Sequence, residues 1–130
     1  MALRIAVMGS GGVGGYFGAR LAASGSDVTF IARGAHLEAM RRDGLRVDSK
    51  AAPLHITPVK AVQTPADAGT VDVVMFCVKM ADTASAAEQV KPLVERGASV
   101  FTFQNGVVSA EQVGAVVGLQ NVVAGTAQIA

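Results

Sequence analysis

Gly9-Ser10-Gly11-Gly12-Val13-Gly14 is the stretch whose reading decides the fold. A mostly apolar run, Leu3 to Met8, leads into it, and a small-residue helical pattern from Gly14 to Ser24 leads out. A G-x-G-x-x-G turn between a strand and a helix is the dinucleotide-binding fingerprint. Each glycine has a task. Gly9 turns the chain sharply out of the strand, Gly11 lets the backbone approach a pyrophosphate, and Gly14 lets the helix pack close to the strand. The unpaired N–H groups and positive dipole end of that helix, with Ser10, Gly12 and Val13 in the turn, favour a diphosphate. A glycine turn alone also fits a flexible loop with no ligand. The readable strand and helix on either side favour the binding reading.

Moving outward, Phe17, Leu21 and the alanines around them give the first helix an apolar face, and Gly25 ends it as a C-cap. Asp27 to Ala32 follows as a second strand rich in β-branched residues, completing a β-α-β unit in about thirty residues. Arg33 stands at its end. An acid at this position would accept hydrogen bonds from a ribose 2′-OH, whereas an arginine pairs with a 2′-phosphate. Arg33 therefore points to NADP (NADPH) rather than NAD, against the plain alternative of a solvated surface arginine.

Ala35 to Asp43 reads as a short helix with Leu37 and Met40 inward, stopped by Gly44. His36 is expected on its exposed side. Leu45 to Asp48 and Leu54 to Val59 read as two short strands made irregular by Pro53 and Pro58, with His55 on an exposed face. Gln63 to Thr70 reads as a polar turn, with a helical turn after Pro65. Val71 to Val78 is the most apolar run, a buried central parallel strand. Cys77 within it is expected to be a packed thiol. Lys79 closes that strand, at the end where ligands of open α/β sheets bind.

Asp82 to Arg96 is helical, with Asp82 as N-cap and Pro92 as a kink or fresh start. Ser99 to Phe103 is a strand running into Gln104-Asn105-Gly106, where Asn105 both donates and accepts hydrogen bonds. Ser109 and Gln112 form a capping box for a helix to Val117. Asn121 to Ile129 is a last strand. The pattern predicts an α/β fold, a Rossmann-type doubly wound, mainly parallel sheet with helices on both faces, in one domain over residues 1–130.

The chain is 51% hydrophobic and 16% charged, which suits a sheet covered on both faces and excludes a disordered chain. A net charge of +1, with both signs interspersed, gives no nucleic-acid or acidic-lipid surface. No apolar run approaches the roughly 18 residues of a membrane span, and no cleavage context marks a signal peptide. The single Cys77 forms no internal disulfide, which fits a reducing cytoplasm. Metal-ligand spacing, a nucleophile elbow and a Walker-type lysine are all missing from the sequence, so no metal is expected.

Gly9 to Gly15, Ile31-Ala32-Arg33-Gly34, Val78-Lys79 and Gln104-Asn105-Gly106, closed by Ala124-Gly125-Thr126, together resemble the N-terminal domain of the ketopantoate reductase family (2-dehydropantoate 2-reductases). The spacing is similar across nearly the whole chain. The resemblance implies NADPH-dependent reduction of a small 2-oxo acid, ketopantoate, to pantoate on the way to pantothenate and coenzyme A. It implies that Arg33 contacts the 2′-phosphate and that Lys79 and Asn105 line the cleft near the nicotinamide and the substrate. The family's principal acid–base lysine lies in a second, helical domain, which this sequence does not contain. The chain is therefore expected to be the cofactor-binding part, inactive alone, with an exposed sheet edge open to homo-oligomer formation. Two other readings stay open: a related NAD(P)-dependent dehydrogenase of another 2-oxo or hydroxy acid, and a non-catalytic dinucleotide-sensing module.

Overall fold

The computed structural model describes residues 3–9, 12–47, 53–78, 82–103 and 107–124. The chain begins with β1 (Arg4–Met8), α1 (Gly12–Ala23), β2 (Asp27–Ile31) and α2 (Gly34–Asp43). Three short strands follow, β3 (Leu45–Val47), β4 (Leu54–Ile56) and β5 (Lys60–Val62), then a 3₁₀ turn over Pro65–Ala68. The second half holds β6 (Val73–Phe76), α3 (Thr83–Glu95), β7 (Ser99–Thr102), α4 (Val107–Val117) and β8 (Val122–Ala124).

Six strands form one sheet in the order β5-β2-β1-β6-β7-β8, and every pair in it is parallel. The order reverses at β1, with β2 on one side and β6 on the other. That is the doubly wound Rossmann arrangement, whose ligand crevice lies outside the carboxyl ends of the strands where the order reverses. β3 and β4 form a separate antiparallel hairpin, pairing Leu45 with Ile56, and it packs on α1.

Period-2 alternation sends side chains of each strand to two cores. On one face Ala6, Met8, Val74, Phe76 and Val100 meet Ala87, Val90 and Leu93 of α3 and Val113 of α4. On the other, Ile5, Val7, Val28 and Phe30 meet Leu37 and Met40 of α2, with Phe17 and Leu21 of α1 partly buried against them. Each fully buried Val, Leu, Ile, Phe or Met among them contributes about 1.5–3 kcal/mol. The second face is only partly roofed. Beside α1 lies an open apolar groove of about 380 Å³ lined by Ile5, Phe17, Val73, Met75, Phe101 and Phe103.

The structure departs from the sequence pattern in four places. α1 turns Gly14, Gly15, Gly18 and Ala19 inward, leaving Phe17 and Leu21 half-buried at its flank. Small residues let the helix sit nearer the sheet than a leucine stripe would. Lys60–Val62, which the sequence pattern assigned to no element, is a strand that pairs with β2 from Thr29↔Lys60 to Ile31↔Val62. α3 runs unbroken through Pro92. α4 starts at Val107, which puts Ser109 inside its first turn rather than at its cap.

Polar groups at the amino ends of the strands are held by ion pairs. Arg4 donates through Nη2 to Asp72 Oδ1 at 3.0 Å, and the Arg4 backbone N–H donates to Asp72 Oδ2 at 2.9 Å. The Arg4 guanidinium and this backbone bond hold the Asp72 carboxyl below the ordinary carboxylate range. Lys60 meets Asp27 at 2.7 Å across β5 and β2.

Gly18 gives a sharp test of the close helix–sheet contact. A Cβ there would come within 2.6 Å of Phe30 Cε1 and 3.1 Å of Val7 Cγ2, and Phe30 is too buried to yield. On an open helix, glycine to alanine is favourable by about 1 kcal/mol. Here overpacking outweighs that gain, and Gly18→Ala is expected to lower stability by about 1–3 kcal/mol, read from the urea midpoint.

Candidate functional site

Gly9 leaves β1 with φ +89°, a left-handed conformation that favours glycine. A Cβ on it would lie 2.8 Å from the Cys77 carbonyl carbon and oxygen and 2.9 Å from Val78 N. The exits of β1 and β6 therefore touch backbone to backbone. Five residues on, a Cβ on Gly14 would overlap the Gly9 carbonyl oxygen and sit 3.1 Å from Val7 Cγ1. The two glycines interlock the first turn of α1 with the strand it follows. α1 begins at Gly12, so its N-terminal N–H groups open at the carboxyl end of the sheet. Ser10 and Gly11 lie outside the described residues.

Beyond these strand ends is a cleft of about 220 Å³. Its floor is Met8, Gly9 and Ile31, and one wall is Ala32, Arg33 and Gln63, from the ends of β2 and β5. Val78 beyond β6, with Asp82, Ser85, Ala86 and Gln89 of α3 and its approach, makes the other wall. The volume is below the roughly 300–1,000 Å³ of a drug-sized site, so the cleft suits one nucleoside half of a dinucleotide.

Arg33 stands at the N-cap position of α2, with extended backbone, and its carbonyl accepts from Leu37 N–H. Its side chain is exposed and makes no hydrogen bond or ion pair among the described residues. Arg4, Arg41 and Arg42 differ, being engaged by Asp72, the Ala61 carbonyl and Asp43. A guanidinium held at a strand end beside an open cleft, with its five donors uncommitted, suits a phosphate. The glycine turn, whose backbone contacts admit no Cβ at Gly9 or Gly14, and this cation, uncommitted among the described residues, together fit a phosphorylated dinucleotide.

Lys79 and Asn105 lie outside the described residues. Their neighbours Val78 and Phe103 leave β6 and β7 at the cleft end of the sheet, where Cys77 N–H donates to Met8 O at 2.9 Å and Phe103 N–H to Phe76 O at 3.1 Å. Gly9, Gly12, Gly14 and Arg33 fall around the same strand ends; Val13 lies in the first turn of α1. Neither histidine joins them. His36 is exposed on α2, and His55 Nε2 meets the Asp43 carbonyl at 2.8 Å on the β3–β4 hairpin. Among the described residues no group of three metal-ligating side chains gathers, and no helix is long and apolar enough to cross a membrane.

Sequence reasoning missed the polar rim formed by Gln63, Ser85 and Gln89. Gln63 was hidden because it was read as the start of a polar turn, with no strand assigned before it. The signal was Val59 to Val62, where Val59, Ala61 and Val62 surround one lysine just before a polar residue.

Cys77, just after β6, is half-buried against the cluster of Ile5, Val7 and Phe30, and burial pushes its thiol up to about 12. The thiolate is the reactive form. Iodoacetamide at pH 8 is expected to alkylate native Cys77 at least about a hundredfold more slowly than the urea-unfolded chain. Equal rates, followed by mass spectrometry, would show the thiol to be accessible and ionised.

Known proteins share this arrangement. A family model described as ketopantoate reductase PanE/ApbA matches residues 5–130. The 2-dehydropantoate 2-reductase of Mesorhizobium japonicum is 38% identical over 106 residues, covering 81% of this chain and 32% of that protein. An uncharacterised oxidoreductase, YkpB, of Bacillus subtilis is 32% identical over 95% of this chain and 40% of its own length. The crystal structure of 2-dehydropantoate 2-reductase from Geobacter metallireducens superposes with a TM-score of 0.91 at 34% identity, over 98% of this chain and 42% of that one. The chain thus spans about a third to two fifths of the length of these curated relatives. With the Rossmann order of the sheet, the glycine cradle and the family match in agreement, this chain belongs to the ketopantoate reductase PanE/ApbA family.

Proposed function

We propose that this chain binds NADP(H), with the adenosine half in the cleft and the diphosphate over the glycine turn, and forms the cofactor-binding part of a 2-dehydropantoate 2-reductase. The observation that carries this reading is Arg33, a cation uncommitted among the described residues, on the cleft wall at the end of β2. The 2′-phosphate distinguishes NADP from NAD, and an arginine at this strand end meets it. Gly9, Ser10, Gly11, Gly12, Val13 and Gly14 then receive the pyrophosphate on backbone N–H groups at the helix start.

Bound NADPH would supply the hydride that reduces the 2-oxo carbon of ketopantoate. The chain's own residues bind and orient. Lys79, following β6, offers a positive charge to the substrate carboxylate, and Asn105, following β7, offers hydrogen bonds near the nicotinamide. The principal proton donor for the developing alkoxide comes from elsewhere in the family's proteins. The relatives' own names, 2-dehydropantoate 2-reductase, support the substrate.

Titrating the protein with NADPH and NADH, followed by nicotinamide fluorescence, tests the cofactor. NADPH is expected to bind more tightly, and Arg33→Ala to weaken NADPH about tenfold to a hundredfold while leaving NADH nearly unchanged. Equal wild-type affinities would remove the 2′-phosphate from the site. In a polypeptide that also carries the substrate-binding half, Asn105→Ala is expected to slow ketopantoate-dependent NADPH oxidation. An undiminished rate removes Asn105 from the reaction.

A further inference from the structure

The wall that holds Arg33 carries a second polar side chain. β2 and β5 are parallel with Ile31 opposite Val62, and Ala32 N–H donates to the Val62 carbonyl at 3.0 Å. That bond pins the ends of the two strands together, so Gln63 follows β5 beside the point where Arg33 follows β2. The next residue is already committed: Thr64 Oγ1 donates to Asp67 Oδ2 at 2.9 Å and opens the 3₁₀ turn, and buried Pro65 fixes it. Across the cleft, Gln89 Nε2 is directed to Ser85 Oγ at 3.3 Å. Asp82 offers only acceptors. The Gln63 carboxamide lines the cleft, is exposed, and makes no hydrogen bond among the described residues.

We propose that Gln63 reads the base of the cofactor, its carbonyl oxygen accepting from the adenine 6-amino group and its amide donating to the adjacent ring nitrogen. This assignment rests on the NADP(H) reading above. A 2′-phosphate on Arg33 fixes the ribose C2′ at the end of β2, and the base hangs from the next ribose carbon. The base therefore lies within the same small cleft, and its polar edge is brought to the neighbouring strand end. A carboxamide presents one donor and one acceptor side by side, the pattern that matches adenine's amino group and ring nitrogen. A carboxylate or a hydroxyl would match half of it.

The test compares NADPH with its 1,N6-etheno analogue, in which the 6-amino group is tied into a ring and can no longer donate. Both keep the 2′-phosphate and the diphosphate. The wild-type protein is expected to favour NADPH over the analogue by about fivefold, the effect of one or two net hydrogen bonds. Gln63→Ala should lose that preference, weakening NADPH by a similar factor while leaving the analogue unchanged. Gln63→Glu, which keeps an acceptor but no donor, should fall between them. Gln63 is exposed, and its backbone bonds do not depend on its side chain, so the variants are expected to fold; matching circular dichroism spectra check this. If Gln63→Ala weakens both ligands equally, or neither, the base-reading role is overturned while the NADP(H) reading stands. If the wild type binds no NADPH, both readings fall together.

Discussion

A backbone contact between the exits of β1 and β6 is the constraint on which the rest of the molecule depends. At Gly9 the chain comes so close to the Cys77 carbonyl that no side-chain carbon fits. The Gly9 carbonyl in turn lies where a Gly14 side chain would have to be. Because the contacts are backbone on backbone, no rotamer change relieves them. A side chain at either position must move a strand or a helix. The same contact closes the two central strands together and aims the start of α1 at the crevice beyond them, so core packing and the ligand cradle share one geometry.

The two ends of the sheet are chemically unlike. At the amino ends the charges are satisfied in pairs, Arg4 with Asp72 and Lys60 with Asp27. These pairs are exposed, and solvent screening leaves such pairs little net stabilisation. Their stronger effect is on register, since each ties neighbouring strands at a defined residue. Stability comes from the two apolar clusters on either face. At the carboxyl ends the polar groups of Arg33 and Gln63 are held in place by backbone bonds around them and left without partners among the described residues. Their backbone positions are fixed, but a ligand would still have to order the two side chains, at some cost in rotamer freedom.

Much of this was legible in the sequence because local signals and global topology agree. The apolar run before Gly9 and the β-branched run before Arg33 are central parallel strands, buried on both faces, and such strands announce themselves by composition. Leu37 and Met40 fell inward as their helical spacing requires. β5 escaped because three residues at a sheet edge carry too little pattern to outweigh neighbouring prolines. The inner stripe of α1 escaped because glycines have no hydropathy to reveal them, although they set how near the helix lies. Ser109 carried a genuine cap signature, but the helix begins two residues before it. The cleft's far wall was illegible for another reason: Ser85 and Gln89 look like any solvated helix face until β6 and α3 are placed together.

Arg33 belongs to neither apolar cluster and sits at the seam between a strand and a helix, exposed to solvent. The fold therefore separates what it must conserve from what it can change. Core residues are bound by packing to many neighbours, so a lineage alters them slowly and in concert. A residue at the end of β2 has no such obligations, and Gly34 after it already supplies the φ of +60° that the turn into α2 uses. On the proposed reading, exchanging the side chain at that one position would change which redox pool the domain draws on without reopening the problem of how it folds.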